Sequence, residues 1–99
     1  MKIDFNKNLT DLSGNDIIEN NKLIPLSIVL ANNLVQEKSI KGITTLKAFE
    51  IALDLNKAGI VDLSVGERES VKEFVEDSNL TILVKVQLLS VFKESEDKK

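Results

Sequence analysis

The apolar segment near the C-terminus constrains the fold more than any other part of the chain. Nine of the thirteen residues from 80 to 92 are apolar, and the segment contains neither Gly nor Pro. Thirteen residues are long for a strand, so we predict a helix. The residues on its common apolar face are Leu80, Leu83, Val84, Leu88, Val91 and Phe92. Its polar residues are scattered around the circumference, and we expect it to be packed on most sides or to form a seam between copies.

Two further helices are predicted from their start signals. The first begins at Pro25, whose missing N–H suits a first helical turn, and stays apolar through residue 35. Another begins near Val65, because Ser64 and Glu67 match the S-x-x-E capping box, and runs to about Glu76. We expect the first and the last of four helices to supply most of the core.

The second of the four predicted helices, which ends before Gly59, has the clearest amphipathic pattern. We predict that Thr44 or Thr45 caps its start and that Gly59 follows its end. Polar residues recur at spacings of three and four, so the apolar residues on the opposite side are predicted to face the core. The polar stripe is Lys47, Glu50, Asp54 and Lys57, and the predicted inward face is Leu46, Phe49, Ala52 and Leu53.

The N-terminal residues favour β structure. Ile3 and Phe5 alternate with polar residues, and Ser13-Gly14-Asn15 is typical of a turn. We therefore predict an α+β fold in which a small β-hairpin or meander packs on a bundle of about four helices. Residues 1–93 are expected to form one domain, with the β element in 1–20 and the helical part in 21–93. The charged residues 94–99 are expected to be a disordered tail.

The composition argues against most chemistry. The chain has no Cys, no His, no Trp and no Tyr, whereas Leu, Ile and Val number 14, 10 and 9. Thiolate or imidazole catalysis and the usual zinc ligands are therefore excluded, and we predict no enzymatic activity, no catalytic residue and no cofactor. A net charge of −3 and a single arginine, Arg68, argue against nucleic-acid binding. No segment is predicted to cross a membrane or to direct secretion, so we expect a soluble, cytoplasmic protein.

Residues 54–65 partly match a calcium loop. Asp54, Asn56, Gly59 and Asp62 fall at its first, third, sixth and ninth positions. The twelfth position, which should supply a bidentate carboxylate, is Val65, and the fifth position also lacks a ligand. We therefore predict no metal site, and interpret the segment as a helix end followed by a helix start.

A helix-turn-helix regulator is the alternative function. The second and third helices have a suitable order, but the third carries more acidic than basic residues. The third helix has four glutamates but only one arginine and one lysine. In a complex with DNA this largely acidic helix would face the phosphates. Nucleic acid is therefore the second choice of partner.

Four polar residues within apolar helices are candidates for an interaction surface. They are Asn32, Asn33, Lys85 and Gln87. The two asparagines have a structural interpretation as well, because an amide can cap a neighbouring helix or fix packing register. That structural role is favoured for the pair.

Four short motifs resemble those of small proteins encoded by tailed phages and prophages. They are Ile3-Asp4-Phe5, Leu9-Thr10-Asp11-Leu12-Ser13-Gly14, the V-L-A-N-x-L helix of residues 29–34, and the G-x-V-D-L-S link of residues 59–64. The resemblance implies a phage or prophage setting and no catalytic residue. The chain lacks reactive side chains and a basic face, and it has more apolar helix than so short a chain easily buries, so we expect a non-enzymatic protein–protein interaction module. In the setting that the resemblance implies, this would be an accessory or assembly protein that binds a host or virion protein, or another copy of itself.

Overall fold

The structure is a computed structural model that describes residues 1–97, and within them it shows four helices and four short strands. In chain order they are β1 Lys2–Asp4, β2 Ile18–Glu19, β3 Lys22–Leu23, α1 Leu26–Gln36, α2 Thr45–Lys57, β4 Ile60–Asp62, α3 Val65–Asp77 and α4 Ile82–Asp97. The predicted α+β class, with a small β part on four helices, is confirmed.

The first strand does not pair within the N-terminal segment. β1 pairs in antiparallel fashion with β4, so that Ile3 lies opposite Val61. Both side chains are buried, as is Phe5, because alternate residues of a strand point to the same face. The division into a β element at 1–20 and a helical part at 21–93 is therefore wrong, since residues 60–62 complete the first sheet.

The hairpin lies later than predicted. β2 and β3 form it, and its two-residue turn is Asn20-Asn21, with φ angles of 53° and 63°. Asparagine tolerates this left-handed conformation better than most residues do, and two such residues suit a tight hairpin turn. The predicted turn around Gly14 also forms, and a single bridge between Thr10 and Asp16 closes it.

The helix boundaries follow the predicted caps. Thr44 accepts a hydrogen bond from the backbone N–H of Lys47 at the start of α2. Gly59, at φ +73°, ends that helix by donating to the carbonyl of Leu55 at 3.0 Å. At the start of α3, Ser64 and Glu67 form the reciprocal capping box.

The fourth helix departs from the prediction at both ends. Ile82, 81% exposed, and Val86, 55% exposed, lie in the solvent, whereas Leu88, Val91 and Phe92 of the same helix are buried. The expectation that this helix is packed on most sides is therefore wrong. The helix also continues through residues 94–97, where disorder was predicted. Glu94 pairs with Lys7, and Glu96 pairs with Arg68 at 2.5 Å. Lys98 and Lys99, the rest of that predicted tail, lie outside the described residues.

The core is drawn from the whole chain rather than mainly from α1 and α4. Phe5 and Phe92 meet edge to face at its centre, with ring centroids 5.3 Å apart. The fully buried side chains around them include Ile3, Leu26, Leu30, Leu55, Leu63, Leu88, Val71 and Val75. Every helix and the β1–β4 sheet thus contribute to one core, and the helices α1 and α2 pack side by side over it.

Candidate functional site

The outer side of α2 carries a row of exposed apolar residues. Leu46, Phe49 and Leu53 are 68%, 52% and 38% exposed. Their spacing of three and four residues places them on one face of the helix. Large side chains that stay in water in this way are candidates for contact with a partner.

This row contradicts the predicted orientation of α2. The buried residues are Ile51, Ala52 and Leu55, so Ala52 alone of the predicted inward face is buried. The helix has apolar residues on both flanks of its polar stripe. Ile51 and Leu55 lie on the flank that is buried, whereas Leu46, Phe49 and Leu53 lie on the flank that stays exposed.

Helix α1 extends the row into a continuous surface. Val35, 53% exposed, and Asn32 line a crevice between α1 and α2 together with Phe49 and Leu53. We call the surface made by Asn32, Val35, Leu46, Phe49 and Leu53 the α1–α2 face.

Shallow crevices continue the α1–α2 face at both ends. At one end Val35 and Phe49 also border a crevice that contains Glu37 and Lys38. At the other end Asn32 also borders a crevice reaching the β2–β3 hairpin. That second crevice is lined by Glu19, Asn20, Lys22, Leu23, Ile24, Pro25, Ile28, Val29 and Asn32. The face is therefore apolar at its centre, and each end carries one acidic and one basic residue.

Asn32 is the predicted interaction residue that lies on this surface. Its side chain is exposed at the junction of two crevices. Asn33, the next residue, turns back on its own helix, where its Nδ2 donates to the carbonyl of Val29 at 2.9 Å. The two neighbouring amides therefore have different environments, and Asn32 is the more exposed of the two.

The other two predicted interaction residues, Lys85 and Gln87, make hydrogen bonds to the backbone of other parts of the chain. The Nζ of Lys85 donates to the carbonyl of Glu76 at 2.8 Å, near the end of α3. The amide of Gln87 donates to the carbonyl of Thr10 at 2.7 Å and accepts from its N–H at 3.0 Å. These side chains satisfy backbone groups, and the structure does not bring them together with Asn32.

The exposure of four apolar residues was not predicted from the sequence: Val35, Leu46, Phe49 and Leu53. A signal for them exists, because α2 has more large apolar residues than one buried face can hold. Leu46, Phe49 and Leu53 lie on one side of the polar stripe, and Ile51 and Leu55 lie on the other. Which side would be buried depends on contacts with α1, and those are not local in sequence.

The segment that partly matches a calcium loop is occupied by regular structure. Asp54 lies in α2, Gly59 ends that helix, and Asp62 lies in β4. The carboxylate of Asp62 accepts from the Met1 amine at 2.8 Å, which lowers the pKa of that carboxyl. Among residues 1–97, no group of three or more acidic side chains is placed to hold a metal ion.

Helices α2 and α3 do not have the short connection of a helix-turn-helix motif. Residues 58–64 join them and include the strand β4, whereas that motif uses a turn of three or four residues. The one arginine, Arg68, is buried in α3 and paired with Glu96 rather than presented to solvent. The arrangement offers no basic recognition helix.

Comparison with known proteins adds no relative from which a function can be transferred. No protein-family model, curated protein sequence or solved structure matches the chain. In the described part of the chain, none of the helices has both the length and the apolar character that a membrane crossing requires.

Proposed function

We propose that this protein is a non-enzymatic protein–protein interaction module that binds its partner through the α1–α2 face. One observation carries the proposal: Leu46, Phe49 and Leu53 form an exposed apolar row on α2, beside Val35 of α1. Contiguous apolar surface rimmed by polar residues is typical of a binding site.

The energetic reason is the area that a partner would remove from water. Complete burial of a Leu, Val or Phe side chain is worth about 1.5–3 kcal/mol. These four side chains are about half exposed, so covering each would contribute roughly 1 kcal/mol before the costs of association. Phe49, the aromatic member near the middle of the row, is the best candidate for an energetic anchor.

The finer identity of the protein stays a prediction. A phage or prophage accessory protein that meets a host or virion protein in the cytoplasm follows from the resemblance of the four motifs named above. The proposed mode of binding does not depend on that setting, because it rests on the α1–α2 face alone.

Site-specific photo-crosslinking tests the proposal. A benzophenone amino acid is placed at Phe49 and, as a control, at Ile82, which is an exposed apolar residue of α4 outside the α1–α2 face. The probes are irradiated with the purified protein alone and in extracts of the cells that carry its gene. We expect discrete adducts from position 49, few from position 82, and suppression of the former by excess unlabelled protein.

A competitor variant makes the test specific for the surface. Leu53→Asp puts a charge in the apolar row without touching the core, so it should fold normally and fail to suppress the adducts. Equal labelling from positions 49 and 82, or equal suppression by Leu53→Asp and the unmodified protein, would overturn the proposal.

A further inference from the structure

We infer that the occupant of the α1–α2 face is a second copy of this chain, held in a twofold arrangement with the two α1 helices antiparallel and crossing at Asn32. The inference rests on the proposed function and names the partner for it. In such a contact the same surface is used by both copies, so the surface must be complementary to itself.

The order of residues along the outer side of α1 meets this requirement. Ile28, Asn32 and Val35 follow at spacings of four and three on one face of the helix, where Ile28 is partly buried and the other two are exposed. An antiparallel crossing at Asn32 sets Ile28 of one copy near Val35 of the other, on both sides of the axis. Apolar residues then meet apolar residues on either side of one polar pair.

The polar pair at the axis is self-complementary in chemistry. An asparagine amide has an N–H₂ donor and a carbonyl acceptor, so two Asn32 amides related by a twofold axis can exchange two hydrogen bonds. The Asn32 side chain makes no hydrogen bond to any other described residue, so both functions are free for this role. A single buried asparagine in an otherwise apolar helix seam fixes register, which would select this crossing over shifted ones.

Each end of the α1–α2 face carries one acidic and one basic side chain, so the two ends can pair when two copies meet in opposite directions. Glu19 and Lys22 lie opposite each other on the hairpin, near the start of α1, and Glu37 and Lys38 follow its end. In the antiparallel arrangement, the hairpin end of one copy lies over the Glu37 and Lys38 end of the other. Each end holds one charge of each sign, so opposite charges can pair and no like charge accumulates.

Cysteine cross-linking tests the arrangement directly, because the chain contains no cysteine of its own. In Asn32→Cys the new thiols would lie beside the twofold axis, within reach of each other, and we expect rapid and nearly complete disulfide-linked dimer under mild oxidation. Ile82→Cys is the matched control at an exposed helical position, and it should remain largely uncross-linked at the same concentration.

Sedimentation equilibrium of the unmodified protein gives the second readout. We expect a mass of about 22 kDa, twice the 11.0 kDa of one chain, and at least tenfold weaker association for Val35→Asp but not for Ile82→Asp. A mass of one chain at every concentration, or equal cross-linking of Asn32→Cys and Ile82→Cys, would overturn the inference.

These outcomes separate the inference from the proposed function. If the protein is monomeric and the probe at Phe49 still labels a foreign protein in a saturable way, the interaction module stands and the second copy is excluded as its partner. If the probe at Phe49 labels nothing in either setting and the protein is monomeric, both are wrong.

Discussion

The side-chain amide of Gln87 makes two hydrogen bonds to the backbone of Thr10. Its Oε1 accepts from the Thr10 N–H at 3.0 Å, and its Nε2 donates to the Thr10 carbonyl at 2.7 Å. The contact ties α4 to the N-terminal loop, 77 residues away in sequence. Gln87, a polar residue that interrupts an apolar helix, therefore stabilises the fold through Thr10.

We expect Gln87→Leu to lower the free energy of unfolding by about 1–3 kcal/mol, because two partly buried backbone groups of Thr10 lose their partner. Urea unfolding measures the change. Ser90→Ala is the matched control on the same helix, since its hydroxyl donates to the carbonyl of Val86 one turn back and is exposed. It should change stability by less than about 0.5 kcal/mol. Equal losses for both variants would show that the Thr10 contact adds nothing.

Glu96→Gln is predicted to destabilise the fold by about 1–3 kcal/mol, because the buried guanidinium of Arg68 would lose its closest carboxylate. The figure lies below that of a fully buried pair, since Glu96 is itself partly exposed to solvent. Glu94→Gln removes the same charge two residues away, where the pair with Lys7 is exposed, and should cost at most about 1 kcal/mol. Chemical unfolding of both variants decides the matter, and a larger loss for Glu94→Gln would contradict it.

The capping box should make stability depend on pH. The backbone N–H of Ser64 donates to the Glu67 carboxylate, and this is the main reason that its pKa is lowered from the ordinary 4.5. The ionised carboxylate therefore stabilises the fold above that value, and the contribution is lost as the pH falls through the lower, folded pKa. We expect Glu67→Gln to be destabilising near neutral pH and to approach the unmodified protein as the pH falls well below 4.5.

Thermal unfolding across that pH range measures the difference. Glu73→Gln, which removes a charge from the same helix outside the capping box, is the matched control. A second variant, Ser64→Ala, should cost about 1 kcal/mol at neutral pH because it removes the reciprocal bond to the N–H of Glu67. A pH-independent difference for Glu67→Gln would contradict the prediction.

Gly59→Ala should destabilise the junction of α2 and β4. The residue has φ +73°, and a Cβ there would collide with Oδ1 of Asn6, whose Nδ2 donates to the carbonyl of Ala58. We expect a loss of about 1–3 kcal/mol from the left-handed backbone and the displaced side chain. Gly66→Ala, within α3 and with open space around it, should instead gain about 0.5–1 kcal/mol. Calorimetry measures the two melting temperatures. We expect that of Gly59→Ala to fall and that of Gly66→Ala to rise.

The local parts of the fold could be predicted from the sequence, because their causes lie within a few residues. Ser64 and Glu67 satisfy each other across three positions, and Gly59 ends α2 in the left-handed conformation that favours glycine. The turn at Gly14 has the same local origin. These features needed no knowledge of the rest of the chain.

The parts that failed depend on distant contacts. Nothing near Ile60 indicates that residues 60–62 pair with β1, and the sequence alone therefore suggests a linker there. The orientation of α2 depends on contacts between elements that are distant in sequence, and these contacts bury Ile51 and leave Phe49 half exposed. Glu96 extends α4 because Arg68 lies beside it in the fold, although the two residues are 28 positions apart.

The candidate site was predicted only in part for the same reason. Asn32 could be singled out because an amide interrupts an apolar helix. Gln87 shows the same pattern for an unrelated reason, since its partner Thr10 lies at the other end of the chain. A local pattern cannot tell these two situations apart.

The pairing of Ile3 with Val61 has a consequence for synthesis on the ribosome. The first strand emerges early, but its partner follows 58 residues later, which is roughly 3–12 s at ordinary elongation rates. Phe5 waits longer still, because Phe92 follows 87 residues after it. The nascent protein therefore carries Ile3 and Phe5 without their native partners until Val61 and then Phe92 have been made.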